Sequence, residues 1–597
     1  MGFAATAWKH QMRRFVSLGL VGLLLTAALS ACSPKLFRSQ STSTNQLIIS
    51  TTTDVKTFNY AMNAQSPNVF TFTYAGLIDE EGTKGEIIPD LAESWQISAD
   101  RKTLKVKLRP DLKWSDGQPL TSDDVMFTFQ DVYFNDEIPT TARDGFKVGE
   151  KQLLPKLNRI DDRTVDFVLP EPFAPFIRSL ATPILPKHAL LASVKTKDRD
   201  GKPQFLSTWD TKTPPKEVIT NGPYTIESYV PGQRIIYRRN PHYWRKDEKG
   251  NPTPHIEQIV WQILDNSDAR MLRFRSGELD MSGLRPEDFA LLKQEEKRGK
   301  FTIYNGGPSS GTTFISFNMN KAIDSKGNPF VDPIKSKWFN NKSFRQAIAY
   351  ALDRRRIIDQ IFRGVGDLQN SPISVQSSYF FGPEKGLKVY DYNPAKAKEL
   401  LKSSGFKYTE QGTLLDSDGN RVEFSLLLPA GSKNGQAMAT QMQQNLKPLG
   451  IKLNLDPVDF NVLVEKINAR RWEMYFLSYT GGVEPNNGAN MWLSNGSSHD
   501  FNQGPRPGQP PIKNWQVSDW EKRIDRLMIS GAQEFDEKKR QAIYAEFQQL
   551  IQEELPVIHL VNPIALTAIR NKVTGVKFSG LDTRGALWNL PELKVEE

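Results

Sequence analysis

Apolar and polar residues alternate with a period of two in several short stretches of this 597-residue chain. At positions 104–108 three apolar residues are separated by two lysines, and similar alternation recurs at 165–169 and 451–455. A period of two puts every apolar side chain on the same face of a strand. These stretches therefore predict strands with one buried face.

Other stretches repeat their apolar residues with a helical period. In the middle of the chain one such set falls at i, i+3, i+4, i+7 and i+8: Phe344, Ala347, Ile348, Ala351 and Leu352. This spacing places all five residues on one side of a helix. A further amphipathic helix is predicted near the C-terminus by Ile543, Phe547, Leu550 and Ile551.

Helix starts are marked by capping residues. Thr121 precedes Asp123 and Asp124, and Asn393 precedes Pro394. Both arrangements are typical of a helix N-terminus, where a side-chain oxygen caps free amides and acidic groups favour the dipole. Since strands and helices alternate over most of the chain, we expect an α/β fold.

Polar stretches rich in proline and glycine interrupt this pattern. The clearest are residues 194–219, 320–341 and 495–515. They are interpreted as surface insertions between core elements.

The N-terminus has the pattern of an export signal. Three basic residues and no acidic residue precede an apolar run at 15–29, which is short for a membrane span. The run ends in Leu29-Ser30-Ala31-Cys32, which resembles a bacterial lipobox. We expect residues 1–31 to be removed and Cys32 to carry lipid. A plain signal or an uncleaved anchor are the alternatives.

The segment after the signal lacks apolar periodicity. Residues 32–45 are rich in serine, threonine and asparagine, which predicts a flexible linker between the lipid and the fold.

Composition narrows the possible functions. The chain is long enough for two or more domains with separate cores. Its formal charge of +9 falls to +6 once Lys9, Arg13 and Arg14 leave with the signal, and acids are mixed among the remaining bases. This charge is too dilute to favour nucleic acid. Cys32 is the only cysteine, so the exported fold holds without disulfides.

One catalytic motif occurs and is discounted. Residues 307–311 match G-x-S-x-G, but a nucleophile elbow needs a helix after the serine. Here alternation predicts a strand on either side, so a loop between strands is the better interpretation. The six histidines lack close ligand spacing, and neither a Walker loop nor a dinucleotide fingerprint is present. We therefore expect neither an enzyme nor a cofactor nor a metal site.

A series of short blocks resembles the extracytoplasmic solute-binding proteins of oligopeptide, dipeptide and nickel importers, called family 5. The blocks occur in family order from about residue 46 to 590 and include Ala92-Glu93-Ser94-Trp95, Asp116-Gly117-Gln118-Pro119, Asn221-Gly222-Pro223-Tyr224, Gly277-Glu278-Leu279-Asp280 and Leu555-Pro556-Val557. Each block is weak by itself, and their shared order makes the resemblance specific.

The resemblance implies a fold of two lobes joined by a hinge, of the type II periplasmic-binding-protein kind. By position, lobe I would cover residues 46–304, lobe II 305–561, and 562–597 would return to lobe I. An extra subdomain at about 76–190 would belong to lobe I. The hinge would lie at the two chain crossings, near 305–311 and 559–562.

The resemblance also implies a function. Such a receptor captures a peptide or peptide-like solute by lobe closure and delivers it to the membrane subunits of an ABC importer. We expect a monomer held to a bacterial membrane by its lipid, on the extracytoplasmic side. A nickel complex, an opine or an oligosaccharide remain alternative ligands, and a sensory or structural relative outside transport is a second class.

The chain departs from the family at one functional position. Peptide-binding relatives carry an aspartate that holds the ligand's α-ammonium, and here Gly482 stands in its place. Glu484, two residues later, matches the acid of the family's acid-proline pair. Either Glu484 supplies the missing charge, or it caps a turn before Pro485.

Further residues are candidates for the cleft because they lie in or near this loop, on one face of the segment after the first hinge crossing, or in a family block. Packing in the core is the alternative for Trp492 and Tyr74. The candidates besides Glu484 and Gly482 are Tyr479, Thr480, Asn486, Trp492, Phe314, Ser316, Asn318 and Tyr74.

Overall fold

The computed structural model describes residues 45–63, 69–149, 151–505 and 509–596. The predicted signal segment, Cys32 and the linker up to residue 44 lie outside these residues. Within the described ranges no helix is both long and apolar enough to cross a membrane.

Two four-stranded sheets occupy the N-terminal part of the chain. In the first, β1 is parallel to β10 and the other neighbours are antiparallel. Its order is β1 (Gln46–Thr51), β10 (Gln258–Ile263), β9 (Arg234–Arg239) and β8 (Tyr224–Val230). The second is antiparallel, in the order β4 (Ala92–Ile97), β5 (Thr103–Leu108), β7 (Thr164–Val168) and β6 (Lys156–Asp161).

A five-stranded mixed sheet forms the centre of the C-terminal part. Its order is β18 (Lys452–Val458), β17 (Glu423–Pro429), β19 (Met474–Tyr479), β13 (Thr312–Phe317) and β20 (Val557–His559). β17 runs parallel to β18 and β19, so all three strands end at the same edge of the sheet. The chain leaves β19 there and enters the loop at 480–488.

A smaller sheet connects the two parts. It consists of β11 (Met281–Gly283), β21 (Val561–Arg570) and β12 (Phe301–Pro308), with β14 (Gly366–Leu368) also on β21. Its pairing brings Asn305 opposite Leu566 and Pro308 opposite Ile564. The side chain of Asn562 also donates to the carbonyl oxygen of Ser309 over 3.2 Å, so the two predicted chain crossings lie side by side. Rotation of the lobes about them stays a prediction.

Three two-stranded pairs complete the strands. They are β2 (Ile78–Glu80) with β3 (Ile87–Pro89), β15 (Lys407–Tyr408) with β16 (Leu414–Leu415), and β22 (Val573–Thr574) with β23 (Lys594–Val595).

Helices lie between most of the strands. In chain order the α-helices of the described residues are α1 (Ser122–Met126), α2 (Phe176–Ser179), α3 (Lys187–Lys195), α4 (Ser267–Arg275), α5 (Pro286–Gly299), α6 (Pro333–Asn340), α7 (Lys342–Ala351), α8 (Arg354–Gln360), α9 (Pro394–Ser403), α10 (Lys433–Leu446), α11 (Phe460–Asn468), α12 (Ala489–Trp492), α13 (Asp519–Gln533) and α14 (Glu537–Glu554).

Hydrophobic cores define the two lobes. One core joins residues 47–259 with Ile569, Val573 and Leu590 near the C-terminus. Two further cores are built only from residues between Phe314 and Val561. We call the residues packed on the first core the first lobe, and those on the other two the second lobe.

The local predictions agree with the structure in most places. In β5 the apolar residues are buried and the two lysines exposed. The predicted face of α7 is buried, and Thr121 and Asn393 cap α1 and α9. Gly307 and Pro308 end β12, and residues 309–311 connect it to β13 with no helix following, as predicted for a loop between strands.

The interpretation of residues 320–341 as a surface insertion was wrong in part. Asp332 caps helix α6, and Pro333 occupies its first turn. Trp338 is buried, and its indole N–H donates to Asp416 over 3.0 Å. Trp338 and the neighbouring Phe339 are the buried side chains of this short helix, and they form no helical apolar repeat that would predict it.

Candidate functional site

A cavity of about 410 Å³ lies between the two lobes. The first lobe supplies most of its wall, from the β2–β3 turn, the segment around Arg245 and the C-terminal residues 581–591. The second lobe supplies the loop Gly481–Glu484 and Asn487. A volume of this size is in the ordinary range for a small-molecule site, about 300 to 1,000 Å³.

Carboxylates on the first-lobe wall lie beside arginines of the same lobe. Arg584 contacts Asp79 at 2.9 Å and Asp582 at 2.7 Å. Glu80 contacts Arg178 at 3.0 Å. These arginines offset part of the negative charge of the wall, which also includes Glu81 and Asp90.

Asp90 is the most deeply buried acid of this wall. The indole N–H of Trp244 donates to its carboxylate over 3.2 Å, and Arg245 lies 3.8 Å away. Burial nevertheless raises the pKa of Asp90 to about 6. Removing the charged carboxylate from water costs more free energy than the contacts with Trp244 and Arg245 contribute.

Two glycines form the second-lobe side of the cavity. A Cβ on Gly481 would collide with the carbonyl oxygen of Ser310, so this residue must stay a glycine. A Cβ on Gly482 would meet only the side-chain nitrogen of Asn487, at 2.9 Å. At Gly482 the chain thus exposes backbone where peptide-binding relatives were expected to place a carboxylate.

Glu484 is buried beside this loop, with its side chain 2 % exposed. Its Oε1 accepts from Arg540 over 2.7 Å and from the backbone N–H of Asn486 over 3.2 Å. The second contact is the turn cap that was the alternative interpretation of Glu484. Its Oε2 has no hydrogen-bond partner among the described residues and lies 3.8 Å from Arg178 Nε.

Arg178 and Arg540 were not predicted as site residues. Arg178 belongs to the first lobe and Arg540 to α14 of the second, so Glu484 lies between basic groups of both lobes. Arg540 also donates to the carbonyl oxygen of Gly531 over 2.9 Å. Neither arginine is close to Glu484 in sequence, and no local pattern could have identified the pair.

We call the segment with Gly481 and Gly482 the glycine loop. A second cavity of about 270 Å³ lies against this loop, and we call it the annex. Gly481, Gly482, Glu484 and Asn487 line both the annex and the interlobe cavity. The rest of the annex wall belongs to the second lobe: Ser310, Thr312, Pro372, Ile373, Ser374, Tyr479, Thr480, Pro485, Gly488, Asn490, Met491, Trp492, Ser498, Phe547 and His559.

Five of the predicted site residues therefore come together around the annex. They are Tyr479, Thr480, Gly482, Glu484 and Trp492. Tyr74 lines the interlobe cavity, and its hydroxyl donates to the carbonyl oxygen of Ile219 over 2.9 Å. Asn486 lies in the same loop but on neither of these two walls.

Three other predicted residues do not reach either cavity. Phe314 is buried edge-on against Tyr479, with ring centroids 5.3 Å apart. The hydroxyl of Ser316 donates to the carbonyl oxygen of Pro556, and Asn318 donates to those of Arg470 and Trp472. In the structure their contacts are with neighbouring segments of the second lobe.

A cavity between two α/β lobes is the architecture of a receptor that encloses a small solute. The family model for bacterial extracellular solute-binding proteins, family 5 (middle), matches residues 86–500. The chain belongs to this family, and its fold is that of the type II periplasmic binding proteins.

Named relatives cover nearly the same length. A protein of Deinococcus radiodurans, named as a probable ABC transporter-binding protein, is 29 % identical over 87 % of each chain. The dipeptide-binding protein of Escherichia coli is 24 % identical, covering 84 % of this chain and 86 % of its own.

A solved structure has the same fold. The periplasmic binding protein of Agrobacterium fabrum in complex with stachyose superposes with a TM-score of 0.71 at 21 % identity. The match covers 92 % of this chain and 84 % of that one.

Proposed function

We propose that this protein captures a peptide or peptide-like solute between its lobes and delivers it to the membrane subunits of an ABC importer. The interlobe cavity is the observation that carries the proposal, because its wall comes from both lobes. A ligand held there contacts the whole site only when the lobes are closed, and these differential contacts stabilise the closed form.

Direct contacts between the lobes support closure as the working state. The backbone N–H of Ala174 donates to the carbonyl oxygen of Ala532 over 2.7 Å. Beside it, Arg101 contacts Glu534 at 3.3 Å. Both contacts join the first lobe to the C-terminal end of α13 and the residue that follows it, outside the two cavities.

The ligand's ammonium is proposed to bind at Glu484. Its Oε2 is buried without a hydrogen bond, and a charged donor there would satisfy it. Glu484→Gln should then weaken a dipeptide such as Ala-Ala by about 2 to 4 kcal/mol. N-acetyl-Ala-Ala should lose far less.

The N-acetylated peptide separates this effect from loss of the Arg540 contact, which both ligands experience equally. Calorimetry with the exported protein measures both affinities. Equal losses for the two peptides would remove Glu484 as the ammonium anchor.

The proposal of a peptide ligand is tested by the same calorimetry on the unaltered protein. Ala-Ala or tri-alanine should bind, and small-angle scattering should show a smaller radius of gyration at saturation. Binding of stachyose or a nickel–histidine complex with no peptide binding would replace the peptide by that ligand class.

Anchoring through lipid on Cys32 belongs to the same proposal. It rests on the lipobox-like tetrapeptide and on the absence of any other cysteine. Cys32→Ser should shift the protein from the membrane fraction to a precursor or a soluble form. Unchanged membrane association of that variant would contradict the anchor.

A further inference from the structure

The annex is large enough for an aromatic group. Its volume of about 270 Å³ exceeds the roughly 150 Å³ that holds benzene in an apolar protein cavity. Ile373, Met491, Trp492 and Phe547 give it apolar walls. It joins the interlobe cavity at the glycine loop, so a ligand could extend one side chain from the main site into it.

The wall of the annex carries almost no charge. Glu484 is its only acidic residue, and Arg540 balances that carboxylate at 2.7 Å. His559 is the only residue of the wall that could become cationic. Burial, aided by the charge of Arg354, lowers the pKa of His559 to about 3, so its ring is neutral at pH 7. With Glu484 engaged by Arg540 and by the ligand's proposed α-ammonium, a charged side chain would lose its hydration here without gaining a partner.

Two residues of this wall, Glu484 and His559, each have a buried polar atom without a hydrogen bond among the described residues. His559 is 3 % exposed, and its Nδ1 has no hydrogen bond among the described residues. An unmet buried polar atom is costly, and a ligand group that pairs with it gains affinity. A hydroxyl both donates and accepts, so it suits either tautomer of the ring.

We propose that the annex selects an uncharged aromatic side chain that carries a hydroxyl, the chemistry of tyrosine, on the bound ligand. This inference rests on the proposed peptide-binding function. His559 would then be a specificity residue, and Trp492 and Phe547 would enclose the ring.

The test is calorimetry with dipeptides that differ in one side chain, in both orders: alanine with alanine, phenylalanine, tyrosine or lysine. Tyrosine should bind roughly tenfold more tightly than phenylalanine, the usual scale of one well-placed hydrogen bond in a buried site. Lysine should bind more weakly than either aromatic peptide.

Two variants locate the effect. His559→Leu should abolish the preference for tyrosine over phenylalanine while phenylalanine peptides still bind. Ser498→Phe, which adds a ring from the annex wall, should weaken both aromatic peptides by at least tenfold and spare Ala-Ala. His188→Leu is the matched control, because this histidine lies beside Asp116 and lines neither cavity.

The outcomes separate the two proposals. Binding of no peptide at all overturns the proposed function and the annex with it. If Ala-Ala binds but tyrosine and phenylalanine peptides have equal affinities, or if the tyrosine preference survives in His559→Leu, only the annex proposal is overturned.

Discussion

The two walls of the cleft differ in whether their polar groups have partners within the protein. On the first-lobe wall Asp79, Glu80 and Asp582 each lie within 3.0 Å of an arginine of that lobe. The second-lobe wall has two glycines, a carboxylate oxygen without a hydrogen bond and an unpartnered imidazole nitrogen. These three carboxylates of the first wall already have arginine partners, whereas the second wall has buried polar atoms without hydrogen bonds that a ligand can satisfy. Selectivity is therefore expected from the second lobe.

The largest effect should come from breaking the buried ion pair behind the second wall. Arg540→Met leaves Glu484 buried without its main partner, and the free energy of unfolding should fall by about 3 to 5 kcal/mol. Urea denaturation measures this loss.

The matched control is Arg523→Met. Arg523 contacts Glu546 at the surface, with both side chains nearly half exposed, and its loss should cost less than about 1 kcal/mol. Equal losses in the two variants would show that Glu484 is not an isolated buried charge.

His559 should make the protein sensitive to acid. Its pKa is lowered from 6.5 to about 3. Between these pH values the imidazole is protonated in the unfolded chain and neutral in the folded chain. Stability contributed by this residue is present above pH 6.5 and is lost as the pH falls. Between pH 6.5 and 4 the loss should be about 3 kcal/mol at 1.36 kcal/mol per pH unit.

The comparison protein is His559→Leu, measured by urea denaturation across that range. Because the variant lacks this titrating ring, its free energy of unfolding should rise relative to that of the unaltered protein by about 3 kcal/mol between pH 6.5 and 4. A constant difference would contradict a neutral, buried His559.

Asp90 on the first wall should show the opposite sign. Its pKa is raised to about 6 from 3.8, so its contribution is most favourable below pH 3.8 and is lost as the pH rises to 6. Relative to Asp90→Asn, the protein should lose up to about 3 kcal/mol over that interval. Parallel pH profiles for the two proteins would show that Asp90 stays charged.

The smallest change expected is a gain in ligand affinity. Gly482→Asp puts a carboxylate where the family pattern expects one, and only the flexible side chain of Asn487 must move. Ala-Ala should bind about tenfold more tightly, and N-acetyl-Ala-Ala should not.

Gly481→Asp is the contrast at the neighbouring position. Its Cβ would meet the backbone of Ser310, so this variant should lose binding of both peptides. A gain for the acetylated peptide in Gly482→Asp would show that the new carboxylate does not meet an ammonium.

The sequence by itself determined the local elements and the family. Alternation in β5, the buried face of α7 and the caps at Thr121 and Asn393 depend on neighbours within a few residues, so they can be deduced without a fold. Alternating strand and helix patterns predicted the α/β architecture, and the family resemblance predicted the two-lobed fold and the loop after β19 that contains Gly482 and Glu484.

Only the tertiary structure decided which groups meet at the cleft. Arg540 is 56 residues from Glu484, and Arg178 approaches it from the other lobe. Phe314 and Ser316 lie in β13 and Asn318 follows it, but their contacts are with neighbouring segments of the second lobe. Partners so distant along the chain are brought together by packing of whole elements, and no local pattern of apolar and polar residues encodes that packing.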